Sequence, residues 1–275
     1  MSGRGILPRM RTVTLRAGHA KPIWHGHPWV FAKSIEACDG AAGPDADWVL
    51  VRDHDGRAIG HGLLSEDAAI RVRLLGSGEP DGSLHALLQE RIERAVALRR
   101  RLFVDPQNTN AYRLVHAEAD GLPGLVVDRY DEVLVAQFGT RPLLDRRDAL
   151  ATALLEATGA SSLVGRASRS APVEGLDETR PFEVGAPVAP QVEIRECGTP
   201  LIVDPLRGQK TGHYVDQREN RILVAAMSAG RDVLDLFCGG GGFAIQALRA
   251  GARSALGVDS GKRALELARE SARSA

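Results

Sequence analysis

The side chains best suited to chemistry lie close together near the C-terminal end of the chain. An apolar run ends in Asp235 and Phe237. Cys238 and four consecutive glycines follow, and FAIQALR then continues with helical spacing. Glycines at a strand-to-helix turn let backbone N–H groups approach a ligand closely, and the helix N-terminus offers a carboxylate or phosphate both donors and a favourable dipole. A second apolar run, SALGV, closes on Asp259, 20 residues after Gly239. A carboxylate at that point can accept both hydroxyls of a ribose. Strand, glycine turn, helix, strand and acid in this order predict a site for a ribose-bearing cofactor. Gly239, Gly241 and Ala244 also satisfy the G-x-G-x-x-A dinucleotide fingerprint, so spacing alone leaves NAD and S-adenosylmethionine both open. Asp235 favours S-adenosylmethionine, whose cationic ammonium needs a partner where a dinucleotide carries pyrophosphate.

Cys238 sits in the turn, where a helix N-terminus would lower a thiol pKa and suit a nucleophile. A small side chain beside the cofactor is the favoured account. Upstream, GQKTGHYVDQRENR (residues 208–221) places Lys210-Thr211 as a P-loop would, but Gln209 stands where that motif needs glycine. Nucleotide hydrolysis is therefore rejected. Two readings of the segment stay open. Gln209, Lys210, Tyr214, Asp216 and Arg218 could line the cofactor cleft, or Asp216 and Glu219 could form a helix capping box.

The elements that must position these groups follow from periodicity. TVTLRA, PWVFAKSI, WVLVRD, AIGHGLL and AIRVRLL read as short strands, with an Asp55-Gly56 hairpin turn. GSGEPDGS (residues 76–83) reads as a linker. Leu84, Leu87, Leu88, Ile92, Ala95, Val96, Leu102 and Phe103 then recur at helical spacing, with Asp81 or Ser83 as cap. The polar side of that helix carries Arg91, Arg94, Arg99, Arg100 and Arg101. They could meet phosphate, although a solvated face is the favoured reading. GLVVDRY and EVLVAQF form strands around Asp131, followed by a helix over 143–157 and the strand SSLVGR. A loop rich in Pro and Glu leads to VEIRE and PLIVD, paired around Cys197-Gly198. The remainder opens a doubly wound α/β sheet.

A chain of 275 residues predicts two or three folding units, and 44% hydrophobic with 25% charged residues excludes a disordered or collagenous protein. Thirty-five basic residues balance 35 acidic ones, which argues against gripping nucleic acid by bulk charge but leaves a local basic face open. Only Lys21, Lys33, Lys210 and Lys262 are lysine. Arginine suits phosphate forks, but a compositional bias is the simpler cause of the excess. Cys38, Cys197 and Cys238 give neither a disulfide framework nor a metal spacing, and a reducing cytoplasm fits them best. No apolar stretch reaches the roughly 20 residues of a membrane span, and the first residues lack a secretory signal.

Several long strings then point one way. HPWVF (residues 27–31), YRLVHAEADGLPGLVVDRY (112–130), GQKTGHYVDQRENR and VLDLFCGGGGFA resemble the PUA-containing class I S-adenosylmethionine-dependent 23S rRNA methyltransferases, a family that includes enzymes making 5-methylcytosine. The resemblance implies a small PUA-like RNA-binding β domain over 1–78, a middle α+β domain over 79–188 and the first part of a Rossmann-like methyltransferase domain over 189–275. It also implies that Gln209, Lys210, Asp216 and Arg218 border the cofactor, that Asp235 and the glycines, Gly239 and Gly241 among them, hold its methionine part, with Cys238 beside the cofactor, and that Asp259 holds its ribose. His213 stands where the family commonly has Phe, and Gly239-Gly240 where it has Tyr-Thr; His213 is expected to pack or hydrogen-bond and not to act as a base.

The family's remaining strands, its Asp-Pro-Pro motif and its catalytic cysteine would fall after Ala275, so the expectation is a C-terminally truncated chain without turnover. In the implied reaction a cysteine thiolate adds to cytosine C6, C5 takes the methyl group, a base removes the C5 proton and the cysteine leaves. The expected partner is 23S rRNA, with no metal and no membrane. Oligomeric state is not legible, and a homodimer stays open. Two rivals remain: an RNA-binding protein with a remnant cofactor fold, and, more weakly, an NAD-dependent oxidoreductase.

Overall fold

The computed structural model describes residues 10–40, 43, 45–168 and 181–275. Six strands come first: β1 (Arg11–Leu15), β2 (Trp29–Phe31), β3 (Ile35–Asp39), β4 (Trp48–Arg52), β5 (Ala58–Leu64) and β6 (Ile70–Gly76). They form one sheet in the order β2-β6-β5-β4-β1-β3, closed over Val13, Leu15, Val49, Val51 and Val72. The Asp55-Gly56 turn forms as expected: Asp53 Oδ1 accepts the N–H groups of Asp55 and Arg57, and Gly56 takes φ 82°. PWVFAKSI is not one strand. A 3-10 turn at Ala32–Ser34 breaks it, so β2 pairs with β6 at one edge while β3 pairs with β1 at the other. A short helix, α1 (Lys21–Trp24), precedes β2.

The long helix α2 (Leu84–Leu102) buries Leu84, Leu88, Ile92, Ala95 and Val96, the stripe its spacing predicts. Ser83 caps it: its Oγ accepts the Ala86 N–H at 3.2 Å. Ser83→Ala is expected to cost about 1 kcal/mol, seen as a lower urea midpoint with an unchanged m-value. The solvated reading of the arginine face holds for Arg94, Arg100 and Arg101, which are exposed, but not for Arg91 and Arg99. Arg91 donates to the carbonyls of Leu75 and Gly121, Arg99 forks onto Asp120, and Arg100 donates to the Ala157 carbonyl. Arg91 and Arg99 are tied into the protein, because neighbouring segments bring unpaired carbonyls and a carboxylate against the helix's polar flank.

Five strands follow, β7 (Ala111–His116), β8 (Leu125–Tyr130), β9 (Val133–Phe138), β10 (Ser162–Ala167) and β11 (Phe182–Gly185), in the order β11-β10-β9-β8-β7. Strands β9 and β10 are parallel, joined through α3 (Arg141–Asp145) and α4 (Arg147–Thr158). The helix expected over 143–157 is thus two, broken at Arg146, whose guanidinium reaches back to Asp45 and Asp47 at 2.6 Å. Leu125, Val127, Leu134, Ala136 and Leu163 pack under α2 and α4, while Tyr130, Val133, Val135 and Val164 face the opposite side. Apolar residues on both faces make EVLVAQF a near-continuous hydrophobic run. Residues 1–9 and most of the Pro- and Glu-rich loop lie outside the described residues.

A hairpin of β12 (Val192–Glu196) and β13 (Thr199–Val203) covers that opposite side. Its two-residue turn has φ 50° at Cys197 and 75° at Gly198, the positive pair that a tight hairpin turn requires. The chain continues through α5 (Arg218–Ala226), β14 (Asp232–Leu236), α6 (Gly242–Arg249), β15 (Ser254–Val258) and α7 (Lys262–Ser274). Strands β14 and β15 are parallel, with Asp235 opposite Gly257, as a doubly wound sheet requires. Among the described residues no helix is long and apolar enough to cross a membrane.

Candidate functional site

The glycine turn joins β14 to α6. Phe237, Gly239 and Gly241 all take positive φ (60°, 52° and 78°), which turns the chain sharply before the helix starts. A Cβ on Gly239 or Gly240 would meet nothing within 4 Å, so this backbone looks onto open space. Asp259, at the end of β15, fixes the turn: Oδ2 accepts the Gly239 N–H at 2.9 Å and Oδ1 the Gly261 N–H at 2.7 Å. These two donors hold its carboxyl below the usual carboxylate range. Asp235 Oδ2 accepts the Ala244 N–H at 3.2 Å, within the first turn of α6. Burial pushes its carboxyl up, opposed by that N–H and by the nearby Arg221 guanidinium.

The facing wall is the segment from Asp204 to Tyr214, and the middle sheet holds it from behind. The face of β8, β9 and β10 that carries Tyr130, Val135 and Val164 also carries Asp128, Gln137 and Arg166, by simple alternation. Gln137 Nε2 donates to the Lys210 carbonyl at 2.8 Å, and Arg166 donates to the carbonyls of Gly208 and Pro205. Thr211 Oγ1 donates to Asp128 Oδ2 at 2.5 Å, and the His213 N–H donates to the Tyr130 hydroxyl at 2.9 Å. Asp128, Tyr130 and Thr211 are all buried. Gly208 must be glycine, since a Cβ there would fall 2.5 Å from the Asp204 carbonyl oxygen. Asp204 in turn accepts from the Leu206 and Arg207 N–H groups and from Arg263 Nε on α7.

Between the two walls lies a cleft of about 230 Å³, lined by Gln209, His213, Tyr214, Gly239, Gly240 and Asp259 among others. Of the residues expected at the cofactor, Gln209, Tyr214, Gly239 and Asp259 border this cleft. Asp235, Cys238 and Gly241 do not line it: Asp235 bonds the first turn of α6, Cys238 is buried, and Gly241 is the cap residue of α6, packed on Ala268. Lys210, Asp216 and Arg218 do not line it: the Lys210 ammonium rests 4.2 Å over the ring of the lining residue Tyr214, Arg218 stacks 4.7 Å over Phe103, and Asp216 is exposed, its charge acting on Arg113. The capping box does not form. A 3-10 turn at Val215–Gln217 runs straight into α5, so Gln217 is the cap residue, no side chain caps the helix, and Glu219 pairs with Arg218 instead.

Cys238 is buried, and burial together with the charges of Asp235 and Asp259 pushes its thiol up, the reverse of what its position before a helix suggested. A neutral, buried thiol is a poor nucleophile. Iodoacetamide at neutral pH is therefore expected to label exposed Cys38 well before Cys238, read by peptide mass spectrometry.

Sequence reasoning missed Glu196, Arg221 and Gln246. Glu196 is fully buried and accepts from Arg221 Nη1 at 2.9 and 2.7 Å. His213 Nε2 lies 3.1 Å from the same carboxylate, and Gln246 Nε2 donates to the Glu196 carbonyl. His213 thus hydrogen-bonds, as expected. The missed signal was period two: Val192, Ile194 and Glu196 share a strand face, so a carboxylate continues an apolar stripe.

Comparison with known proteins bears on this arrangement. Residues 13–77 match the model of a PUA-like domain, and residues 114–275 that of an S-adenosylmethionine-dependent methyltransferase. A protein of Shewanella denitrificans named ribosomal RNA large subunit methyltransferase I is 36% identical over 259 residues, covering 94% of this chain and 65% of the relative. A protein of the same name from Aeromonas hydrophila is 34% identical, covering 95% and 66%. The chain therefore spans about two thirds of the length of these relatives. An S-adenosylmethionine-dependent methyltransferase structure from Streptococcus mutans superposes with TM-score 0.76 at 19% identity, over 94% of this chain and 66% of that one. A methyltransferase solved with S-adenosylhomocysteine superposes with TM-score 0.77, also at 19% identity, over 94% and 65%.

Proposed function

This chain belongs to the S-adenosylmethionine-dependent methyltransferase family, and from that premise we propose that it serves methylation of a base in large-subunit ribosomal RNA, at C5 of a cytosine. The observation that carries the cofactor part is the glycine turn and Asp259 bordering one cleft. Two carboxylates, Asp235 and Asp259, flank the turn. They suit a ligand with an ammonium and a ribose and disfavour a pyrophosphate. S-adenosylmethionine, when bound, supplies an electrophilic methyl group on a sulfonium. Asp259 would accept from the ribose hydroxyls, Asp235 and the turn would hold the methionine end, and Gln209 would border the opening. The names of the relatives support an rRNA substrate. The C5 assignment rests on the resemblance of the GQKTGHYVDQRENR and VLDLFCGGGGFA strings to the 5-methylcytosine family. The first sheet and the middle sheet would contact RNA through shape and backbone, and the target base must leave its stack to be modified.

Transfer of a labelled methyl group from S-adenosylmethionine to large-subunit rRNA, followed by nuclease digestion and mass spectrometry, tests the reading on a protein of the relatives' full length, of which this chain spans 65–66%. The expected product is 5-methylcytidine; label in another nucleoside would remove the C5 assignment, and label in none the rRNA assignment. Acidity supplies a further check. Ammonium binding needs Asp235 ionised, and burial raises its pKa. Affinity for S-adenosylhomocysteine is therefore full above that raised value and falls on acidification earlier than an ordinary aspartate would allow. Titrations across pH on the native chain and on Asp235→Asn, which should lack that fall, decide it.

A further inference from the structure

We infer that Glu196, which does not border the cofactor cleft, is a positioning residue for it: by holding Arg221, it keeps the carboxylate of Asp235 free for the ammonium of the methionine end. This rests on the cofactor reading above. Glu196 ends β12, is fully buried, and binds Arg221 Nη1 with both oxygens, at 2.9 and 2.7 Å. Arg221 Nη2 donates to the Tyr214 carbonyl at 3.0 Å, which fixes the guanidinium against the cleft wall. On its other side the guanidinium abuts the glycine turn. A Cβ on Gly242 would lie 2.6 Å from Arg221 Nε, and the Phe243 ring lies 5.5 Å from the guanidinium carbon. Arg221 Nε itself is buried without a hydrogen-bond partner. A buried cation with an unsatisfied N–H therefore stands directly behind the first turn of α6.

Asp235 accepts the Ala244 N–H of that same first turn, whose Gly242 abuts Arg221 from the other side, and the guanidinium favours its ionised form. Without Glu196 the guanidinium has Asp235, bonded to the far side of the same turn, as an anionic alternative. An Arg221–Asp235 pair would spend the charge meant for the ligand's ammonium and pull α6 toward α5. Glu196 prevents this, with three supports. His213 Nε2 approaches its Oε2 at 3.1 Å, Gln246 Nε2 donates to its backbone carbonyl at 2.8 Å, and Thr199 Oγ1 donates to Gln246 Oε1 at 2.8 Å. His213 also lines the cleft and sits 3.0 Å from Arg221 Nη1, so one carboxylate organises both the cleft wall and the cation behind the turn.

The test compares two ligands on the full chain by calorimetry and ligand-observed NMR: S-adenosylhomocysteine, which carries the ammonium, and adenosine, which does not. Glu196→Gln keeps the side-chain shape and removes the charge. It is expected to weaken S-adenosylhomocysteine roughly tenfold or more, the size of one charge-assisted hydrogen bond, while adenosine affinity changes less than about twofold. General loosening of the fold would weaken both ligands alike, and that result, or no change in either, overturns the inference. If Glu196→Gln does not fold, Arg221→Lys decides. A lysine ammonium cannot fork onto Glu196 and the Tyr214 carbonyl together, so it is held less firmly and is free to reach Asp235, and the same selective loss is expected. Native affinity for S-adenosylhomocysteine in a folded Arg221→Lys chain refutes the positioning role. Failure of the unsubstituted chain to bind S-adenosylhomocysteine would instead strike the cofactor reading itself.

Discussion

Replacing Asp259 by alanine is expected to reduce affinity for S-adenosylhomocysteine about 100-fold or more, measured by calorimetry on the full chain. Both oxygens of this carboxylate already accept a backbone N–H, from Gly239 and Gly261. Those bonds fix its plane at the cleft and leave each oxygen a further lone pair for a hydroxyl. Alanine removes the acceptor for the ribose and also leaves two turn N–H groups without a partner. Hydrogen bonds to a charged group contribute about 1.5–3 kcal/mol each, and about 1.4 kcal/mol is tenfold in affinity, so loss of two reaches the stated size. Asp259→Asn separates the two effects. An amide NH₂ turned toward Gly239 or Gly261 would oppose a donor with a donor, so asparagine should also bind weakly although its shape is kept. Native affinity in the alanine variant would remove Asp259 from the site.

The second large effect concerns stability, and it arises far from the glycine turn in sequence. Asp128 is fully buried, is bound by Arg113 through two bonds of 2.8 and 3.0 Å, and accepts the Thr211 hydroxyl. Asp128→Ala strips a half-buried guanidinium of its partner and frees the segment that walls the cleft. Breaking a buried pair by removing one member costs about 3–5 kcal/mol. The lower end applies here because Arg113 keeps some access to water, its side chain being 29% exposed. Thermal unfolding should therefore shift down by several degrees. Thr211→Val tests the link between the sheet and the cleft wall. If the two groups act as one unit, the double substitution costs less than the sum of the single ones; strict additivity would show that Thr211 is held by something else.

The parts of the site carried by local rules were legible. Strand, glycine turn, helix, strand and acid lie within 28 residues of sequence, and the structure assembles them in the expected order. Ser83 caps α2 and Cys197-Gly198 turns the hairpin because caps and tight turns depend on neighbours in the chain. What escaped depends on elements far apart. The run AYRLVH gave no strand signal because a register shift between Arg113 and Val115 puts Tyr112, Leu114 and Val115 into one core, which breaks the two-residue alternation. Arg91 and Arg99 of α2 looked like part of a wetted face because periodicity identifies the apolar side and is silent about what meets the polar one. Glu196 and Arg221 lie 25 residues apart, and only the fold shows that they meet behind the turn.

One wall of the cleft belongs mechanically to a different sheet from the other. Tyr130, Gln137 and Arg166 project from β8, β9 and β10 to hold the backbone of residues 208–213, while the glycine turn and Asp259 hang from β14 and β15. Occupancy of the cleft and the geometry of the middle sheet are therefore thermodynamically linked, and linkage is reciprocal. Any partner that docks on the middle sheet and shifts these three anchors must change cofactor affinity by the same factor by which cofactor changes the partner's affinity. The middle sheet is in that sense a transmission between whatever the protein holds at its front and the small molecule it holds in the cleft.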